Sequence, residues 1–75
     1  TAYALGRKAQ AAAAFRQATE RHPLAAAAFN NLAQTLADQG ELDAALEAAR
    51  KAVSLGGPNL PAAQATLDQI IGRRR

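Results

Sequence analysis

Few residues in this 75-residue chain could carry chemistry. His22 is the single histidine, beside Pro23 and two positions after Glu20. A histidine at the carbonyl end of a helical segment reads as a cap rather than as a base or ligand. Asp43 and Glu47 stand four residues apart, which puts two carboxylates on one helical face. Glu47 is also four residues before Lys51, the favourable order for a surface ion pair worth about 0.3–0.5 kcal/mol, and acid chemistry would need a pocket. The pair therefore reads as a solvated outer face. Ser54 has no partner base, and Gly56-Gly57 is too short and wrongly placed for a phosphate loop. The absence of cysteine excludes a disulfide framework, a thiolate zinc site and a cysteine nucleophile. No catalytic residue, metal site or cofactor is expected, and the chain does not read as an enzyme.

The remaining polar signal is charge. A net charge of +3 is accounted for by Arg73, Arg74 and Arg75 alone. Cations in a last helical turn complement the carbonyl end of the helix dipole, which explains them without a ligand. A phosphate-binding tail helped by Arg7 and Lys8 is the alternative, but no aromatic platform accompanies it for base stacking.

Such residues must be held by helices. Hydrophobic residues make up 49% of the chain and aromatics only 4%, so alanine carries the apolar share; alanine is the strongest helix former and lets helices approach closely. Ala11, Ala14, Phe15 and Ala18, and again Phe29, Leu32, Ala33 and Leu36, follow the i, i+3, i+4, i+7 spacing of one helical face. A third helix runs from about Glu41, with Leu42, Ala45, Leu46, Ala49, Ala52 and Val53 on its buried side. A fourth begins near Pro61, where proline loses nothing in a first turn, and buries Leu67, Ile70 and Ile71. Gly40 supplies the turn between the second and third helices, and Pro23 and Pro58 mark helix ends.

The halves repeat. Gly6, Ala11 and Ala18 recur 34 residues later as Gly40, Ala45 and Ala52, and Phe15 maps to Ala49. Pro23, Leu32 and Leu36 recur one residue late as Pro58, Leu67 and Ile71, so a single residue is inserted at Gly56-Gly57. The segment AAAFNNLAQTLADQGELDAALEAARKAVSLGGP resembles the tetratricopeptide repeat, a 34-residue helix-turn-helix family. Phe29, Leu32-Ala33, Leu36, Gly40, Ala45, Ala52 and Pro58 stand at its pattern positions, with Ala49 in place of an aromatic. The resemblance implies an all-α fragment of antiparallel helix-turn-helix repeats, an α-solenoid piece of about four helices. It forms a single domain over residues 1–75: the second half of a repeat at 1–23, with Thr1 to Leu5 as the end of a preceding helix, a complete repeat at 24–58 and a closing helix at 59–75. The run AVSLGGPNLPAAQATLDQI is also similar to the ends of repeat tails fused to papain-like, bacteriocin-processing-type peptidases of proteobacteria, although no residue of such an active site carries over.

The family resemblance further implies a concave groove lined by Ala27, Asn30, Asn31, Gln34, Ala37 and Asp38, continued on the closing helix by Ala65, Thr66, Gln69 and Arg73. Asn and Gln amides both donate and accept, which suits them to an extended peptide backbone; the same side chains would serve equally as a solvated face. The expected function is thus a protein-interaction module holding a peptide or protein. The alternative is a homodimer formed through the first helix, whose Ala11, Phe15 and Ala18 would lack a partner and be worth several kcal/mol on burial at about 25 cal/mol per Å². No apolar stretch approaches the roughly 20 residues that span a bilayer, and no leader pattern is present. A soluble, cytoplasmic protein is expected, with no membrane partner, and with its natural N-terminus missing because the chain opens on Thr1 and contains no methionine.

Overall fold

The computed structural model describes residues 2–74, with side chains from Gly6 onward. Four α-helices follow one another: α1 (Ala2–Arg21), α2 (Ala26–Asp38), α3 (Leu42–Leu55) and α4 (Leu60–Arg74), with a short 3-10 turn at Gly57–Asn59 before the last. Helix α2 is central. It packs on α1, on α3 and on α4, while α4 also lies along α3. The core joins all four through Ala12, Leu32, Ala33, Leu36, Ala45, Leu46, Ala48, Ala49 and Ile70, with Phe15, Leu42 and Leu67 packed at its edge. Ala33, Ala45, Ala49, Ala52 and Ala63 are entirely inaccessible; methyl-sized contacts at these points let the helix backbones approach closely.

The α2–α3 turn is built from backbone hydrogen bonds. The Gly40 N–H donates to the Ala37 carbonyl at 3.0 Å and the Glu41 N–H to the Leu36 carbonyl at 3.0 Å, while Gly40 adopts φ +83°. This is the paired pattern in which a left-handed residue ends a helix and satisfies its last carbonyls. The inserted Gly56-Gly57 likewise has two positive φ values, +68° and +77°, and leads through Pro58 into α4. That helix starts at Leu60, one residue before the expected Pro61.

Three expectations about the first segment are corrected. Residues 2–5 do not end a separate preceding helix: α1 is continuous from Ala2, and Gly6, unlike Gly40, is not among the positive-φ residues. Thr1 lies outside the described residues. The buried face of α1 is centred on Ala12 and Thr19, with Ala11, Phe15 and Ala18 half-buried and Ala14 exposed. Four consecutive alanines at 11–14 give no contrast from which a helical phase could be read. Nor is this helix without a partner, since it packs on α2.

Candidate functional site

Two clefts flank α2, and the first lies between α2 and α4. Its volume is about 210 Å³, and its lining comes from Gln34, Ala37 and Asp38 on α2 and Thr66, Gln69, Ile70 and Arg73 on α4. Residues three to four apart share a helical face, so 34–37–38 on one helix confronts 66–69–70–73 on the other. The side chains are tied across the gap. Gln34 Nε2 donates to Thr66 Oγ1 at 3.3 Å, and Thr66, which is buried, donates in turn to the Ala62 carbonyl at 3.0 Å. Arg73 Nη1 donates to the Ala37 carbonyl at 3.1 Å and lies 3.9 Å from Asp38 Oδ1. The Ala37 carbonyl therefore accepts from both Gly40 and Arg73, and the arginine completes the C-terminal cap of α2.

This arrangement offers amide donors and acceptors from Gln34 and Gln69, one cation and one carboxylate, above the buried Ile70. Gln34, Asp38, Gln69 and Arg73 from the expected groove are thus brought together, with Ala37 and Thr66. Ala27 and Asn31 are exposed but outside the cleft, and the Asn31 carbonyl accepts a 2.9 Å bond from Thr35 Oγ1. Ala65 is also exposed outside it. Asn30 points inward: it is 8% exposed, and its Oδ1 is buried without a hydrogen-bond partner. Ile70 was legible only as a core residue, because spacing reports a buried stripe and not the cleft that opens beside it.

The second cleft, of about 260 Å³, lies between α1 and α3. It has Phe29, Leu32 and Leu36 of α2 at its floor. Position 34 and positions 29, 32 and 36 are about half a turn apart at 3.6 residues per turn, so the two clefts occupy opposite sides of α2.

Several single-residue expectations resolve differently. Glu47 and Lys51 form no ion pair; the ion pairs among the described residues are Arg73–Asp38 and a 2.8 Å contact between Arg74 and Asp43. Two of the three terminal arginines are therefore turned onto the protein's own groups, and Arg75 lies outside the described residues. The His22 ring is exposed and caps nothing among the described residues, while its backbone N–H extends α1 by a 2.9 Å bond to the Ala18 carbonyl. No helix among the described residues is long and apolar enough to cross a membrane.

A tetratricopeptide-repeat family model matches residues 1–63. The chain belongs to the tetratricopeptide repeat family. Repeats of this family form a non-enzymatic helical scaffold that mediates protein–protein interaction. Comparison with curated proteins and with solved structures gives no match, and neither comparison supports the likeness to peptidase-linked repeat tails. In this tetratricopeptide repeat the cleft between α2 and α4 gathers Gln34, Ala37, Asp38, Thr66, Gln69 and Arg73 of the expected groove residues, and leaves out Ala27, Asn30, Asn31 and Ala65.

Proposed function

We propose that the chain holds an extended segment of a protein partner in the cleft between α2 and α4. The observation that carries this reading is the convergence of Gln34, Asp38, Gln69 and Arg73 from two helices on one cleft. Exposed amides from facing helices can bond both edges of a peptide unit. Because Arg73 already serves the Ala37 carbonyl and Asp38, it orients the cleft more than it offers a vacant cation.

The test uses peptides selected on the wild-type protein from a random display library. Gln34→Ala with Gln69→Ala should weaken their binding about tenfold or more, equivalent to 1.4 kcal/mol, while helicity by circular dichroism is retained. Unaltered affinity with intact helicity would place the binding surface elsewhere.

A further inference from the structure

The cleft on the other side of α2 is of a different chemical kind. Helices α1 and α3 both pack on α2 but are not among the closely packed pairs, and the apolar side chains that α3 turns toward the gap are only the methyl groups of Ala44 and Ala48. Phe29 and Ala44 are half-buried there, while Leu32 and Leu36 beneath them are 6% and 2% exposed. An apolar cavity of roughly 150 Å³ already accommodates a benzene ring, so about 260 Å³ has room for one large side chain.

The rim is charged. Arg16 of α1 stands on one side, and Glu47 and Lys51 of α3 on the other. Arg16 and Lys51 are exposed, and neither side chain has a hydrogen bond or ion pair among the described residues. Two cations against one carboxylate, above an apolar floor, match an occupant that combines an apolar group with negative charge.

We propose that this second cleft docks a segment of another protein that places one large apolar side chain against Phe29 and Ala44 and a neighbouring carboxylate between Arg16 and Lys51. A second copy of this chain fits less well. Among the described residues the exposed large hydrophobic ones are Leu24 and Leu60, and neither has an acidic residue within three positions in the sequence. Since the two clefts lie on opposite sides of α2, a partner here leaves the cleft of Gln34 and Gln69 open, and one short repeat can bridge two proteins. The proposal does not depend on the other cleft being occupied.

The probe is 4-phenylbutyrate, with 4-phenylbutylamine as its charge-reversed match, titrated into isotopically labelled protein and followed by amide chemical shifts. The carboxylate should shift the amides of Phe29, Leu32, Leu36, Ala44 and Ala48 and bind about fivefold more tightly than the amine, the order expected for exposed charge pairs. Arg16→Glu with Lys51→Glu should reverse that preference, and Ala44→Leu should remove the response to both probes by filling the cleft. Equal response to the two probes in the wild type, or shifts confined to the α2–α4 cleft, would overturn the proposal. So would concentration-dependent shifts of the same amides in protein alone, accompanied by a dimer in sedimentation, because the occupant would then be a second copy. Folding of each variant is read from the dispersion of its own spectrum, and the wild-type comparison of the two probes decides the matter even if a variant fails to fold.

Discussion

Asn30 carries an amide whose Oδ1 is buried and unpartnered, a condition that costs roughly 1–3 kcal/mol. Nothing in its sequence neighbourhood distinguishes it from Asn31, which is exposed one residue later. Replacing Asn30 by Leu, which branches at the same carbon, removes the unsatisfied acceptor. Thermal or urea unfolding should show Asn30→Leu to be more stable by about 1 kcal/mol; a destabilised variant would mean that the amide has a partner in solution. Gln34, one turn further on, is exposed and bonded only to Thr66. Its loss should leave stability within about 0.5 kcal/mol, which makes it the better residue through which to test binding.

At the level of the helices, two glycines that the 34-residue register makes equivalent are physically different. Gly40 closes α2 at φ +83°, and a Cβ there meets no atom within 4 Å, so the penalty for a side chain is conformational. Gly40→Ala should cost about 1–2 kcal/mol. Gly6 lies inside α1, also with nothing within 4 Å of a built Cβ. Gly6→Ala should instead stabilise the protein by about 0.5–1 kcal/mol. Denaturant midpoints of the two variants moving in opposite directions would verify that the turn at Gly40 has no counterpart at Gly6. Movement in the same direction would indicate a break in α1.

Across the whole molecule, the core is small and rests on a few larger side chains between alanines. A chain of this size has roughly 5–10 kcal/mol of stability in total. Ile70 is 1% exposed and attaches α4 to the shared core, so Ile70→Ala should cost about 2–5 kcal/mol. A fall of at least about 10 °C in Tm by circular dichroism is expected, with the α2–α4 cleft lost as α4 detaches. Ala49 stands where the repeat pattern has an aromatic, yet it is completely buried against its neighbours. Ala49→Phe should therefore destabilise by at least about 1–3 kcal/mol through overpacking, and an unchanged unfolding midpoint would show that the core can open to admit the ring.

The sequence by itself determined the four helices, the turn at Gly40 and the repeat register. Propensity and 3.6-residue periodicity are local properties, legible wherever Leu, Ile and Phe contrast with polar neighbours, as along Leu32–Leu36 and Leu42–Leu46. The family pattern named Gln34, Asp38, Gln69 and Arg73, which share one cleft, but equally Ala27 and Asn31, which lie outside it, and Asn30, which is buried. Only the tertiary structure decided which way α1 faces, because the alanines at 11–14 carry no phase. It also decided that Asn30 turns inward while Asn31 does not, and that Arg73 reaches the Ala37 carbonyl from 36 residues away. The cleft between α1 and α3 has no sequence signature at all. It exists because two helices packed on a third are held apart, and a separation between helices belongs to their packing rather than to any one of them.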